Sequence, residues 1–552
     1  MLHRSTSPVI LIFILSLSLA ACSQEADNHQ ALLPEVAPED RTRVTDEHIT
    51  NLEAPIPSQC YTKTESEHNP CYTCHQNYDR DKAARMNQLD DGHLQGGYLF
   101  SDVGVTNHWE NLFVDRRDWQ ARISDEQIIA YINQDNYSGL ASRLKDRGWQ
   151  GFIPDLENYH RAGEAFDEQG IALDGSHWVA FNYKPFPGTF WPTNGSTDDV
   201  VIRLPAAFRE INGDYSRELY LLNLTLLEMV IKQIDTMTIP PTDENRIGAD
   251  LNGDGQIAGT VTVLKKHSHY LGDASEISLA FQQYPEGTEL MHSVRYVGID
   301  DSGTIGVPPR MKELRYMRKI RELENYDVRN RYARERKDKH RELLPTFVNL
   351  HDRGLENGLG WTMQGFIEDY DGQLRPQTYE ENLFCMGCHA AVGVTIDQTF
   401  ALARKVDGAR GWGYIDLHGM PDAPNISEPG GEIRNYLERA GGGSEFRENP
   451  EMVEKWYQPD GSLNEDAIAA ADVYTLIAPS RERALKLNKA YTHIVRHQSY
   501  IYGRDATWLP AQNVFREVDE SEPPLAREFR FYEWDLRLDW QSQQERKIAR
   551  QP

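Results

Sequence analysis

Two short segments of the chain carry the same pattern of reactive side chains. Residues 71–75 (CYTCH) and residues 385–389 (CMGCH) each place two cysteines three positions apart and a histidine directly after the second cysteine. They contain four of the six cysteines in the 552 residues. Any fold that the chain adopts must therefore present two thiols and one imidazole side by side at two places.

This spacing matches the CXXCH pattern by which c-type haem is attached to proteins. The two thiols bond to the two vinyl groups along one edge of the porphyrin, and the histidine that follows reaches the iron. The sequence therefore predicts two covalent c-type haems, bonded through Cys71, Cys74, Cys385 and Cys388, with His75 and His389 as the proximal ligands of the two irons.

Two other interpretations of these cysteines stay open. Each CXXC pair could form a disulfide that is followed by a chance histidine, or the four cysteines could hold one zinc ion. A histidine at the same place twice argues against chance, and zinc motifs belong mainly to reducing compartments. Haem attachment is therefore the favoured interpretation.

The start of the chain has the features of an export signal. A positively charged beginning is followed by an apolar run over residues 9–21, which is too short for a stable membrane anchor. The run ends in LAAC at residues 19–22, which resembles the lipobox of bacterial lipoproteins. The resemblance implies that residues 1–21 are removed as a signal peptide and that Cys22 carries the lipid. An ordinary secretory signal with an incidental cysteine is the alternative. The residue after Cys22 is Ser23 and not Asp, which in the sorting rule for such lipoproteins resembles a signal for the outer membrane. The protein would then face the periplasm or the cell surface.

Together, the haem motifs and the lipobox resemble a dihaem c-type cytochrome lipoprotein. The resemblance covers only the two motifs, their flanks and the signal, and no named family is recognised over the full length. It implies electron transfer outside the cytoplasm.

The charge of the chain limits its partners. The 85 acidic residues exceed the 58 basic ones, and the formal net charge is −27. Such a charge repels a phosphate backbone, so nucleic acid is excluded as a partner. The expected partners are the membrane, through the lipid, and redox proteins with a basic docking face, such as other cytochromes or quinone-linked complexes.

Composition and pattern predict an α+β fold. Helical patterns surround the haem motifs, and alternating runs such as 259–264 and 290–297 predict strands in a middle region rich in Gly, Pro and aromatic residues. The predicted segments are a signal peptide (1–21), a flexible tether (22–55), a first haem region (56–150), a strand-rich insert (151–307), a basic helical segment (308–345) and a second haem region with a helical C-terminal part (346–552).

Helix signals are clear at four places. Capping boxes predict helices after Ser124 and after Thr378, and the second of these leads into the second haem motif. A long helix is predicted to begin near Ser480. Apolar residues at helical spacing predict an amphipathic helix with a basic face over residues 310–344. A merely solvated face is favoured over a docking surface or a clamp for haem propionates.

An acidic loop in the insert resembles the first part of an EF-hand calcium loop. Alternate oxygen ligands would come from its side chains, and Ile257 would anchor the loop to the core. Val261 stands where the family has a glutamate, so the site would be truncated, and a plain turn is the alternative. The calcium ligands would be Asp250, Asn252, Asp254 and Gln256.

The sixth ligands of the irons are not fixed by the sequence. Cys60 is left over once lipid and haems have taken five cysteines, and it is either a buried inert thiol, a haem ligand, a binder of a sulfur compound or a partner for another chain. The other distal candidates are His68, His93, His108, His267, His269, His292, His418 and Met420.

Two classes of function follow from these residues. The first is an electron carrier with two capped irons. The second is an enzyme with one open or thiolate-ligated haem, since dihaem cytochrome c peroxidases are similar in having two CXXCH motifs and a calcium ion. The chain between the motifs is longer than in that family, and its Phe186, Phe190 and Trp191 could wall a pocket over one iron.

Overall fold

The computed structural model of the protein describes residues 32–43, 49–77, 90–188, 191–341, 343, 346–391, 394–519 and 521–541. The signal peptide, the lipobox with Cys22, and Phe190 lie outside the described residues. Within the described part of the chain, no helix is both long and apolar enough to cross a bilayer.

Among the described residues, four α-helices come first, strands with three interspersed α-helices follow, and seven α-helices end the order. The strands are β1 (Val179–Ala180), β2 (Thr197–Arg203), β3 (Glu210–Ile211), β4 (Asp214–Tyr215), β5 (Thr236–Asp243), β6 (Thr260–Lys265), β7 (Glu289–Arg295), β8 (Gly298–Ile299), β9 (Ile305–Gly306), β10 (Met311–Lys319), β11 (Val348–Asn349), β12 (Leu355–Glu356), β13 (Trp361–Glu368) and β14 (Leu374–Pro376). The helices are α1 (Arg117–Ala121), α2 (Asp125–Ile132), α3 (Leu140–Asp146), α4 (Ala162–Ala165), α5 (Arg217–Lys232), α6 (Glu244–Ile247), α7 (Asn325–His340), α8 (Tyr379–Leu383), α9 (Ala401–Arg404), α10 (Glu432–Ala440), α11 (Pro450–Trp456), α12 (Glu465–Ala470), α13 (Val473–Ile477) and α14 (Arg481–His497). The predicted mixture of helix and strand is confirmed.

The largest element is an antiparallel sheet of eight strands. Its order is β1-β2-β7-β10-β13-β12-β11, with β14 paired to β13. His292 on β7 stands opposite Val200 on β2 and Arg315 on β10. Since side chains alternate between the two faces of a strand, these three residues share one face. The opposite face packs into a hydrophobic core that includes Met291 and Leu314.

The predicted helix over residues 310–344 is wrong in its first part. Residues 311–319 form β10, which lies between β7 and β13, and only Asn325–His340 is helical. Two charged side chains of β10 are buried and paired across the fold: Glu313 with Arg504 at 2.7 Å and Lys319 with Asp397 at 2.6 Å. Pairing with distant strands has overridden a local helical spacing, as is usual for central strands.

Part of the predicted tether is fixed on the folded body. Leu33 and Val36 are buried in a cluster with residues of α14. The backbone N–H of Thr42 donates to the carbonyl of His497 at 2.8 Å, and that of Asn51 donates to Glu380 at 2.6 Å. The described residues before 56 are therefore ordered, because a few apolar side chains and backbone hydrogen bonds attach this acidic, proline-containing stretch to the body.

The local helix and strand signals are confirmed. Ser124 and Gln127 form the capping box of α2, and Thr378 caps α8 in the same way. Ser480 is the N-cap of α14. The runs predicted to be strands correspond to β6 and β7.

One hydrophobic core contains residues from segments that lie far apart in the sequence. Tyr72 of the first CXXCH motif, Leu227 of α5 and Met386 of the second motif all belong to the same buried cluster. The insert is thus packed between the two motif regions, and its sheet reaches both of them.

Candidate functional site

Both CXXCH motifs open into a single cavity. It has a volume of about 1300 Å³, which exceeds the roughly 300–1,000 Å³ typical of a pocket for one small ligand. The motif residues that line it are Cys71, Cys74, His75, Cys385, Cys388 and His389. The structure therefore brings together all six residues that the sequence singled out for haem binding.

The first motif is a single 3₁₀ turn over Cys71–Thr73. The side chain of Asn69 accepts a hydrogen bond from the N–H of Tyr72 at 3.1 Å, and the N–H of His75 donates to the carbonyl of Cys71 at 2.9 Å. Tyr72 and Thr73 are buried in the core. This turn leaves the two cysteines and the histidine on the side of the cavity.

The second motif repeats that turn at the end of α8. Helix α8 continues into a 3₁₀ turn over Phe384–Gly387, and the N–H of His389 donates to the carbonyl of Cys385 at 3.1 Å. Gly387 is closely packed: a Cβ atom there would lie 2.7 Å from Cγ of Pro57 and 2.8 Å from the carbonyl oxygen of Pro55. The backbone of the residues before the first motif thus packs directly on the second motif.

Three of the four motif cysteines are free thiols whose surroundings are buried. Cys71, Cys385 and Cys388 have free thiols, and burial raises the pKa of both Cys71 and Cys388 to about 11. Among the described residues, no three His, Cys, Asp or Glu side chains are grouped so that they could hold a metal ion. The four motif cysteines are therefore not gathered into one tetrahedral zinc site.

The two motifs lie near each other in the cavity. Burial raises the pKa of Cys74 well above its usual value, and negative charge on Cys388 and on Cys60 would raise it further. A charge acts less strongly as distance grows, and all three thiols line the same cavity. Residues far apart in the sequence therefore form one site.

Each motif histidine is held through Nδ1. Nδ1 of His75 lies 3.2 Å from Oδ2 of Asp91, and Nδ1 of His389 lies 2.7 Å from the carbonyl oxygen of Gln398. Because carbonyl and carboxylate oxygens accept, Nδ1 carries the proton in both rings and Nε2 is left with a lone pair for an iron atom. Burial lowers the pKa of His389 to about 4, so this ring is neutral at physiological pH.

One face of the central sheet forms a wall of the cavity. His292 of β7 is paired through Nε2 with Asp198 of β2 at 3.2 Å. Arg315 of β10 lies next to His292 across the strands and is paired with Glu313 at 2.9 Å. Met317 of β10 also lines this wall.

Basic and acidic side chains meet at this wall: Lys312, Arg315 and Arg504 line it together with Asp198, Glu313 and Asp505. Glu313 is shared by Arg315 and Arg504; burial would raise its pKa, but the two guanidinium charges outweigh burial and lower the pKa to about 2. Lys312 donates to the carbonyl of Gly195 at 2.7 Å and to the hydroxyl of Ser196 at 3.0 Å, and burial lowers its pKa to about 7. These groups suit anionic substituents, such as the propionates of a haem.

The structure narrows the candidates for the sixth ligand. His93 and His292 line the cavity, and so does Cys60. The sequence did not single out His340 at the end of α7, Met317 on β10 or Met363 on β13, which line it as well. The candidates that do not line the cavity are His68, His108, His267, His269, His418 and Met420.

Two described members of the aromatic cluster that was predicted to line a pocket, Phe186 and Trp191, lie in different surroundings. Phe186 lines the cavity, and it packs against Phe400 with ring centroids 4.7 Å apart. Trp191 is fully buried in the core and packs on Tyr436 instead. Only one described member of the cluster thus faces the site.

The acidic loop at residues 250–257 is a closed turn away from the cavity. Asp250 accepts hydrogen bonds from the backbone N–H groups of Gly253, Asp254 and Gly255 at 2.8, 3.1 and 2.8 Å. The anchor predicted at Ile257 is wrong, because that side chain is 49% exposed while Leu251 is fully buried. The remaining contacts run from the Asn252 amide to the Asp254 carboxylate at 3.1 Å and from the Gln256 N–H to Asp254 at 2.8 Å. Calcium binding by these residues stays a prediction.

Comparisons with known proteins identify a lipoprotein family. A family model described as "-like lipoprotein" matches residues 42–475. An "Uncharacterized lipoprotein" of Aquifex aeolicus (strain VF5) is 31% identical over 515 residues, which cover 82% of this chain and 86% of that protein. No solved structure matches the chain.

These matches correct the resemblance drawn from the motifs. The family that spans the chain is a lipoprotein family and not a cytochrome family, so the resemblance to a dihaem c-type cytochrome lipoprotein was wrong as a statement of family. The lipobox, by contrast, agrees with the family. The chain therefore belongs to this lipoprotein family and is an exported, lipid-anchored protein.

Proposed function

We propose that this lipoprotein carries two covalent c-type haems in the large cavity onto which both motifs open and transfers electrons outside the cytoplasm. The observation that carries the proposal is the convergence of both CXXCH motifs, in the same turn conformation, on a cavity of about 1300 Å³. The free thiols and the two imidazoles held through Nδ1 are the groups that such attachment requires.

The roles of the residues follow from their chemistry. Cys71, Cys74, Cys385 and Cys388 would each add their S–H across a vinyl double bond, so no atom is lost and no oxidant is needed. His75 and His389 would present Nε2 to the two irons. When bound, haem supplies reversible one-electron chemistry. Two such groups in one cavity favour passage of an electron between them.

The surroundings of the protein suit this role. The lipid on Cys22 would hold it at a membrane, which we infer to be the outer membrane because Ser23 follows the lipidated residue. The net charge of −27 favours a redox partner with a basic docking face, such as another cytochrome or a quinone-linked complex.

Mass spectrometry of the mature protein tests the proposal. We expect two added haems that survive extraction with acidified acetone. Cys71→Ala and Cys388→Ala should each disturb attachment of one haem, whereas Cys60→Ser, at a cysteine that lines the same cavity outside both motifs, should keep both. Bound zinc or the absence of covalent haem would overturn the proposal.

A second function, an oxidoreductase with one open or thiolate-ligated haem, has support from the sheet wall. Arg315 could bind a small anion, and the His292–Asp198 pair could move a proton beside it. Cys60 in the same cavity could ligate iron or bind a sulfur compound. Peroxide or a sulfur compound would then be the substrate.

Ligand binding separates the two functions. If one iron is open, cyanide or carbon monoxide should shift the Soret band of about half the haem, and low-temperature EPR should show one high-spin site. If both irons are capped, neither ligand should act rapidly, even on half-reduced protein. The second result leaves the electron carrier.

A further inference from the structure

The two proximal histidines differ in the group that holds them. His75 is hydrogen-bonded to the carboxylate of Asp91, whose side chain is only 7% exposed. His389 is hydrogen-bonded to a neutral backbone carbonyl. A carboxylate partner makes an imidazole a more basic ligand than a carbonyl partner does. A more basic ligand stabilises the oxidised iron and lowers the reduction potential.

The charges around the second motif would raise the reduction potential of a haem bound there. Burial raises the pKa of Cys385 and of Cys388, and the positive charge of Arg315, which lines the same cavity, opposes that rise. The guanidinium of Arg504, which shares Glu313 with Arg315, lies 4.6 Å from the ring centre of Phe384, the residue before Cys385. Arg504 also acts on Cys385. The carboxylate of Glu313 is shared by these two guanidiniums, so this group of three side chains carries one more positive than negative charge. Positive charge near an iron favours its reduced state.

Resting on the proposed function, we propose that the two haems have unequal reduction potentials, the lower at residues 71–75 and the higher at residues 385–389. An electron that enters at the first motif then passes downhill to the second. Asp91 and Arg315 are the positioning residues that set this direction, one through His75 and the other through its charge. The first motif is therefore the side of the electron donor, and the second is the side of the acceptor or substrate.

A spectroelectrochemical titration of the full-length lipoprotein in detergent tests this order. We expect two one-electron waves. The variant Cys385→Ala/Cys388→Ala, which keeps only the first haem, should titrate with the lower wave. Titration of that variant with the higher wave, or a single two-electron wave in the wild-type protein, would overturn the proposal.

Substitutions of Asp91 test whether its hydrogen bond to His75 lowers the reduction potential at the first motif. Asp91→Asn should raise the potential of the lower wave and weaken the iron–histidine stretching band in resonance Raman spectra, and Asp91→Glu should restore both towards wild type. Asp90→Asn is the matched control, because it removes the same charge at an exposed neighbouring residue that lines the cavity. Equal shifts in Asp91→Asn and Asp90→Asn would mean that the hydrogen bond to His75 does not set the potential.

Arg315→Gln tests the second half of the proposal. It should lower the potential of the higher wave and leave the lower wave in place, since Glu313 keeps its pair with Arg504. An unchanged higher wave would contradict the role of Arg315. Mass spectrometry of each variant shows whether both haems are attached. Missing haem would count against the proposed function, and misplaced potentials with both haems present would count only against this inference.

Discussion

At the scale of single residues, the second motif depends on Gly387, because its surroundings leave no room for a side chain. Gly387 packs against Pro57, and the same turn at the first motif has Thr73 at the equivalent place, where the hydroxyl donates to the carbonyl of Pro70 at 2.9 Å. The two X positions of CXXCH are therefore shaped by what each motif packs against. The motif chemistry is the same at both sites, but the tolerance of substitution is not.

Gly387→Ala should destabilise the protein by about 1–3 kcal/mol, because the new methyl group overlaps the ring of Pro57 and the carbonyl of Pro55. It should also reduce haem content at the second motif. Urea unfolding and mass spectrometry measure the two effects. Gly163→Ala is the control: no atom lies within 4 Å of its added Cβ and the residue is in helix α4, so it should be neutral or slightly stabilising. Equal effects of the two substitutions would contradict the packing argument.

Glu432 is a second residue with a measurable consequence. Its side chain is fully buried and lies between Arg404 and Lys184. Burial raises its pKa, but the two positive charges outweigh burial and lower the pKa to about 2. A carboxyl group whose pKa is lowered by folding stabilises the folded state above its unfolded pKa of about 4.5, and this stabilisation is lost as the pH falls towards 2.

Glu432→Gln should therefore cost about 3 kcal/mol at pH 7, and the difference from wild type should shrink between about pH 4.5 and pH 2. Chemical denaturation across this range measures it. Glu438→Gln removes an equally charged but 55% exposed partner of Arg434, and should cost less than about 1 kcal/mol. A pH-independent loss in Glu432→Gln would show that packing and not charge is responsible.

At the scale of elements, the acidic loop between α6 and β6 carries the prediction of calcium binding. If Asp250, Asn252 and Asp254 hold the ion, a chelator should lower the melting temperature, and Asp254→Ala should abolish that sensitivity. Asp460 forms a comparable turn with Ser462 elsewhere on the surface, so Asp460→Ala should leave the chelator effect intact. Equal melting with and without chelator would leave only a turn, for which the hydrogen bonds of Asp250 already account.

The helices and strands that were predicted correctly are those that residues close together in the sequence determine. The capping boxes at Ser124 and Thr378 use residues within one helical turn, so they are visible without knowledge of the fold. Strand β10 was not predictable, because its residues are held by β7 and β13 and by ion pairs to the distant Arg504 and Asp397.

The same distinction applies to the site. The six motif residues were visible in the sequence because the CXXCH pattern has a fixed spacing along the chain. His292, Asp198 and Arg315 meet only through the register of three strands, so no pattern in the sequence joins them. Asp91 follows its motif by many residues and reaches His75 only through the fold.

At the scale of the whole molecule, the long segment between the motifs forms the wall of the site. One face of its sheet lines the cavity, and the other face packs into a core that includes Met291 and Phe366. This placement explains why the chain between the motifs is so long. The chain between the motifs supplies Asp91 and Arg315, whereas Arg504, the other charged group that distinguishes the two motifs, comes from outside it.

The lipid anchor can be tested independently of the cavity. Cys22 stands outside the described residues, and the family match supports an exported lipoprotein without fixing the membrane. Cys22→Ala should release the protein from membranes, because within the described residues no helix could replace the lipid as an anchor. It should retain both haems, since attachment involves only the two motifs. Fractionation of cells on a density gradient measures the first effect, and mass spectrometry of the released protein measures the second.

Ser23→Asp is the matched variant for the choice of membrane. It keeps the lipid and should move the protein from the outer to the inner membrane fraction if the residue after Cys22 acts as the sorting signal. Two results would contradict anchoring of the protein at the outer membrane through the lipid on Cys22. One is unchanged membrane association of Cys22→Ala, which would mean that a protein partner or a surface of the folded body holds the molecule there. The other is wild-type protein in the inner membrane fraction, which would place the electron donor and acceptor at that membrane.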